Sequence, residues 1–467
     1  MSGPFMRSFA GHAVRRRMLA LGIGAALVAA LASFAPSAQA ANPPTTASPN
    51  VASVRAQVRT GSLLTTHGVR KVCAAANARC LAQVVTASTG STKALSTTTP
   101  LGYSATDLET AYHLPANPAI GANGTIAIID AGAYPTLESD LAVYRAQFNL
   151  PACTVASGCL TITDMHGGPP LTPATDFLGQ LEEENVAVET SLDMEMASAA
   201  CPGCKLVEIQ IPTGDAFPNF DQASLDAAMA DFGTAVNRAA TDGSSSVSMS
   251  YQYPSDTTVE FGQTGLELFH PGMAVLASSG DGGFEGNLHT GWPQNLPWVT
   301  SVGGTSLFAA NAAGTVFSQT AWSGAGSGCE TDLPAAIGQP PSVSAACGGH
   351  RASSDVSAVA DPATGPAVYD TYAPASGQPL NWFVVGGTSV SSPFVAGIYA
   401  RGGHTSQVIG PNTIYTAPKG AFTDVKLGQN APTNGCQSVG APVQVCQAGT
   451  GWDGPTGVGS PNGLSGF

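Results

Sequence analysis

Gly386-Gly387-Thr388-Ser389-Val390-Ser391-Ser392-Pro393 lies between two apolar runs, Trp382 to Val385 and Phe394 to Ala400. The paired glycines let the backbone approach a bound group closely. Ser389 is then expected at the start of a helix, where free backbone N–H groups favour developing negative charge. That placement suits a serine attacking a carbonyl carbon. Alone, the string also describes a Gly/Ser turn before a buried helix, so its meaning rests on what else the chain carries.

Glu189-Thr190-Ser191-Leu192-Asp193 holds two carboxylates four residues apart, inside a stretch from Val186 to Ala200 rich in Ala, Met and Leu. Helical spacing puts both acids on one face. A solvated acidic face is the ordinary reading of such a pair. Leu192, Met194 and Met196, and the apolar run Leu206 to Ile211 that follows, predict a largely buried helix instead. Buried carboxylates need a reason. A third segment, Ala277-Ser278-Ser279-Gly280-Asp281-Gly282-Gly283, follows the apolar run Met273 to Leu276. It places Asp281 at the carboxyl end of a strand, where ligand sites gather in open α/β sheets.

Together the three segments resemble the sedolisin family, the serine-carboxyl peptidases that share the subtilisin fold. The resemblance lies in an E-x-x-L-D helix, an S-S-G-D loop and a G-T-S-x-S-x-P loop in the same order. Gly291-Trp292-Pro293 and Trp298 to Thr305 extend it, and it covers roughly residues 98 to 467. It implies an α/β, subtilisin-like domain with a mostly parallel sheet flanked by helices. Chemistry and resemblance assign the same roles. Ser389 is the nucleophile and Glu189 the general base. Asp193 orients Glu189 and shares its proton. Asp281, kept protonated, donates to the oxyanion. A carboxylate base beside a neutral carboxyl donor predicts an acid optimum. A tripeptidyl-peptidase of the same family and a silent binding protein on the same scaffold are the alternatives; the four filled positions argue against the second.

A subtilisin-type triad requires a histidine base. Asp130, at the end of Thr125 to Ile129, stands where such an aspartate could lie, but His166 sits before Gly167-Gly168 in a Pro-rich loop and the other histidines are scattered. The Glu189–Asp193–Ser389 set is therefore preferred.

Near the C-terminus, Phe422-Thr423-Asp424-Val425 and Ala448-Gly449-Thr450-Gly451-Trp452-Asp453 read, on their own, as a glycine-rich surface loop with two aspartates. The family resemblance implies calcium there. Asp424 and Asp453 would supply carboxylates, Val425, Gly449 and Gly451 carbonyls, and water the rest of the shell.

Ten cysteines all lie beyond residue 40. Proximity pairs Cys73 with Cys80, Cys153 with Cys159, Cys201 with Cys204, Cys329 with Cys347 and Cys436 with Cys446. An even count in an exported chain suggests disulfides. Residues 1–40 read as a signal peptide: Arg15-Arg16-Arg17, an apolar run from Leu19 to Phe34, then Ala38-Gln39-Ala40. Ordinary secretory export to the extracellular space is preferred over a twin-arginine route. The chain carries 17 basic and 31 acidic side chains. Loss of residues 1–40, with four arginines and no acid, leaves 13 against 31, a net charge of −18. That balance excludes nucleic acid and anionic membrane as partners, and leaves protein or peptide substrates and a monomer as the expectation.

Residues 41–97 read as a short leader or propeptide-like segment, and residues 98–467 as the peptidase domain. Strands and helices alternate from Thr125 onward, which argues a parallel sheet. Trp322 to Trp382, dense in Gly and Pro, reads as surface loops around the cleft.

Overall fold

The computed structural model describes residues 50–467 except 74–76, 78, 220, 256, 285–290, 312, 432–435, 437–439 and 441. The signal-peptide reading and the first residues of the leader lie outside the described residues. The described residues belong to one compact unit, those of the leader among them.

Its centre is an eight-stranded sheet: β1 (Thr125–Ala131), β2 (Leu160–Asp164), β3 (Lys205–Ile211), β4 (Ser246–Met249), β5 (Ala274–Ser278), β6 (Thr300–Ala309), β7 (Phe317–Ala321) and β8 (Val356–Val359). The spatial order is β8-β6-β5-β4-β1-β3-β2, all parallel, with β7 antiparallel on β6. Strands covered on both faces read as continuous apolar runs. Ile126, Ile128 and Ile129 of β1 are accordingly buried. Chain order reverses at β1, between β3 and β4, and the carboxyl ends of strands beside such a point form a crevice.

Two helices carry the candidate residues Glu189, Asp193 and Ser389. The acidic helix, Phe177–Ala200, starts at Asp176, whose side chain caps the Gly179 N–H. The serine helix, Thr388–Gly402, starts at Gly387, with φ +104°. A Cβ at Gly397 would lie 2.6 Å from Ala200 Cβ, so the missing side chain there lets the two helices touch. The serine helix is pinned to β4 as well: Ser246 Oγ donates to Ala396 O at 2.8 Å.

All five sequence-local disulfides are present. The stretch Trp322 to Trp382 departs from the expectation of surface loops. It contains strands Gly328–Pro334 and His350–Ser353, which pair with each other, then β8, then Ala367–Asp370. Each is too short to show a period among the surrounding glycines and prolines.

The leader is built into the same core. Its helix, Val51–Thr60, buries Val54 and Val58, and Arg59 pairs with Asp107 at 2.9 Å. Strand Gln83–Val85 pairs antiparallel with Asn381–Gly386, the strand that feeds the serine helix.

Candidate active site

Glu189, Asp193 and Ser389 are all fully buried. Glu189 and Asp193 share a helix face, and the serine helix brings Ser389 to it. The Ser389 hydroxyl stands beside the Glu189 carboxyl and favours its anion, although no hydrogen bond of good geometry joins them. Glu189 Oε2 accepts the Ala82 N–H at 2.7 Å. Its Oε1 has no partner, and neither oxygen of Asp193 has one.

Asp281 follows β5 across the crevice. Its Oδ1 accepts from the Thr388 backbone N–H at 2.7 Å and the Thr388 hydroxyl at 2.9 Å. Its Oδ2 accepts from Gln83 Nε2 at 2.8 Å. Burial outweighs these donors and raises the Asp281 carboxyl to about 6. Gly387 explains the tight fit: a Cβ there would lie 2.5 Å from Leu81 O and 2.7 Å from Asp281 Oδ2.

The structure adds two carboxyls to the site. Asp130 is the next-to-last residue of β1, and Glu208 lies on β3 opposite Ile128. Side chains two apart on a strand share a face, so Asp130 and Glu208 project together as diagonal neighbours. Both are fully buried, and none of their four oxygens has a hydrogen-bond partner. Burial raises Asp130 to about 7 and pushes Glu208, Glu189 and Asp193 well above the carboxylate range. Their mutual repulsion adds to this. Among the described residues no lysine or arginine forms an ion pair with any of the four. Four buried acids without a cation cannot all ionise, so they hold protons in common. Glu208 had a sequence signal: an acid in the middle of the buried strand Leu206 to Ile211.

Of the described histidines, His113 and His166 are exposed, while His67, His270, His350 and His404 bond elsewhere. The Tyr251 and Thr190 hydroxyls stand near Asp130 instead and favour its anion, without a hydrogen bond of good geometry to it.

The C-terminal aspartates also come together. Gly451 N–H donates to both oxygens of Asp424 at 3.2 Å. Gly449 N–H donates to Asp453 Oδ2 at 3.0 Å, and Thr456 N–H and Oγ1 donate to Oδ1. Burial raises Asp453 to about 7, with repulsion from Asp424 adding to it. Among the described residues no three His, Cys, Asp or Glu side chains converge as a metal-binding group. Two hard carboxylates drawn together on a glycine loop, one of them buried, still fit a calcium ion that takes its other oxygens from carbonyls and water.

Kumamolisin from Bacillus sp. (strain MN-32) is 31% identical over 394 residues, which span 78% of this chain and 63% of kumamolisin. The chain belongs to the sedolisin family. Tripeptidyl-peptidase sed5 from Aspergillus fumigatus is 30% identical over 232 residues, 41% of this chain and 37% of its own. The chain thus spans less than two thirds of the length of these curated relatives. Pseudomonas sedolisin, a serine-carboxyl proteinase solved with two molecules of pseudo-iodotyrostatin, superposes with a TM-score of 0.57 at 22% identity. The match covers 78% of this chain and 96% of that one and establishes the shared subtilisin-like fold. No protein-family model matches the chain.

Proposed function

We propose that this sedolisin-family chain is an exported serine-carboxyl endopeptidase acting on proteins or peptides, outside the cell and as a monomer. The observation that carries the reading is the meeting of Ser389, at a helix N-terminus, with Glu189 on one side and Asp281 on the other. Ser389 Oγ attacks the scissile carbonyl and passes its proton to Glu189. Asp281, protonated, donates to the oxyanion, assisted by the serine helix N-terminus. Glu189 then protonates the leaving amine, and water hydrolyses the Ser389 ester. Asp193, with Asp130 and Glu208 behind it, keeps Glu189 in place and buffers its proton. No described helix is long and apolar enough to cross a membrane.

The upper limb of the pH profile follows from Asp281, and the lower limb from ionisation of Glu189 within its carboxyl cluster. The donating form of Asp281 exists below about 6 and is lost above it, so turnover falls as pH rises through that value. The test is protein cleavage from roughly pH 2.5 to 9, a range spanning the carboxyl and histidine pKa values, with Ser389→Ala in parallel. An acid optimum that vanishes in the variant is expected. A neutral or alkaline optimum would replace this site with a histidine-based one.

Asp424 and Asp453, with the carbonyls of Val425, Gly449 and Gly451, would hold a calcium ion that ties the C-terminal loop together. A bound ion stabilises the fold by roughly 2.7 kcal/mol at a hundredfold excess over its Kd. Chelator is therefore expected to lower the thermal midpoint near neutral pH and added calcium to restore it. An unchanged midpoint would remove calcium from the proposal.

A further inference from the structure

Ser389 Oγ has no hydrogen-bond partner in good geometry, whereas the threonine before it is held on every side. Thr388 is fully buried at the first position of the serine helix. The preceding residue, Gly387, has no side chain with which to cap that helix. The Thr388 N–H is one of the free donors at such an end, and Asp281 Oδ1, from the loop after β5, accepts it at 2.7 Å. The Thr388 hydroxyl donates to the same oxygen at 2.9 Å. That hydroxyl is itself pinned, because the Gly280 N–H donates to it at 3.2 Å. A hydroxyl has a single hydrogen to give. With Gly280 on one lone pair, that hydrogen is left for Asp281.

The two oxygens of Asp281 therefore differ. Oδ1 accepts both Thr388 donors and serves as the missing helix cap. Among the described residues Oδ2 accepts only from the Gln83 side-chain amide. A neutral carboxyl carries one proton, and an oxygen that already faces two donors is the wrong place for it. We propose that Thr388 is a positioning residue for the oxyanion donor: it holds Oδ1 as an acceptor and so leaves Oδ2 to carry the proton and present it. The proposal rests on the peptidase reading above and adds the residue that aims Asp281. Because Thr388 and Ser389 are consecutive, the start of one helix fixes the nucleophile and the oxyanion donor together.

The same hydroxyl helps to set where the acid range ends. A donor aimed at a carboxylate favours its anion, so removing that donor keeps Asp281 protonated to higher pH. Beyond burial, which raises Asp281 most, two charges act on it. Lys71 of the leader favours its anion, and Glu189 of the acidic helix repels it. A change at Thr388 alters neither.

Thr388→Val keeps the shape and removes the hydroxyl; Thr388→Ser keeps the hydroxyl and removes the methyl. For the parent and both variants, kcat on a peptide substrate is measured from acid to neutral pH. In Thr388→Val the upper limb is expected to move to higher pH by roughly half a unit to one unit, since two or three donors together lower a carboxylate by about two. In acid, kcat should fall by less than the about 10²–10³ that outright loss of an oxyanion donor costs. Thr388→Ser should restore both. If Thr388→Val does not fold, Thr388→Ala removes the same hydroxyl with less bulk and carries the same expectation. A residue that acts through Asp281 has nothing to aim once that carboxyl is gone, so Thr388→Val added to Asp281→Ala should deepen the loss in kcat very little. An upper limb that stays in place without the hydroxyl, or losses that add in full in the double variant, would make Thr388 a structural residue only. Either result overturns the proposal and spares the peptidase reading. A parent chain without Ser389-dependent cleavage at any pH overturns the peptidase reading, and the positioning role with it.

Discussion

The acidic helix serves two buried carboxyl clusters that obey opposite rules. Toward its start, and against helix Leu137–Gln147, lie Glu183, Asp140 and Asp370, with Glu195 near its end. Asp140 accepts from Tyr134 OH at 2.9 Å, Thr136 Oγ1 at 2.8 Å, and both the N–H and hydroxyl of Thr371. Asp370 accepts from Tyr372 N–H and Tyr134 OH. Glu183 takes the Ala174 N–H on both oxygens and the Tyr372 hydroxyl on one. Glu195 Oε2 takes the Tyr369 N–H. In the other cluster, Glu189, Asp193, Asp130 and Glu208 have a single donor in good geometry, and the leader supplies it. The acids of the first cluster are given donors, Glu195 Oε1 excepted. The four acids of the Glu189 cluster are given one another, and on the proposed reading their protons remain free to move.

Glu189→Gln tests the contrast most strongly. Loss of a general base typically costs about 10²–10⁴ in turnover, and that range is expected for kcat on a peptide substrate, with little loss of folded protein. Asp140→Asn should do the reverse. An amide nitrogen cannot accept from the hydroxyls and N–H that converge there, and one unsatisfied buried group costs about 1–3 kcal/mol. Chemical denaturation is expected to show that loss, while kcat of the folded fraction is kept. A variant pair that lost activity equally would erase the distinction between the two clusters.

The sequence made one of these clusters partly legible and the other not at all. Glu189 and Asp193 stand out because helical spacing turns two acids into one face, and Ser389 and Asp281 because glycine loops mark the ends of apolar runs. The parallel sheet was legible for a similar reason, in runs such as Thr125 to Ile129. Glu208 joins the site only through the register of β3 on β1, a long-range pairing that local pattern does not encode. Asp140 and Asp370 meet across some 230 residues of chain, and their donors come from loops. The leader's grip on the cleft is likewise invisible locally: Gln83 is an ordinary strand residue until strand Asn381–Gly386 is found beside it.

Glu208→Gln carries the smallest expected effect and the finest test. Glu208 lies above its ordinary range because burial disfavours its anion, with the Asp130 charge adding to it. The folded chain therefore holds this proton more tightly than the unfolded one. Stability from this source is complete below the unfolded pKa, about 4.3, and drains away as pH rises toward the folded value. The amide that replaces the carboxyl copies its protonated form in shape and charge. At pH 4 the variant and the parent should melt together. At pH 7 the variant should melt higher by a few degrees, since each unit of pKa difference is worth about 1.4 kcal/mol. In acid, where Glu208 is already neutral, kcat should hardly move. A variant less stable at both pH values would mean that Glu208 is satisfied by a partner as Asp140 is, and the two clusters would then follow one rule.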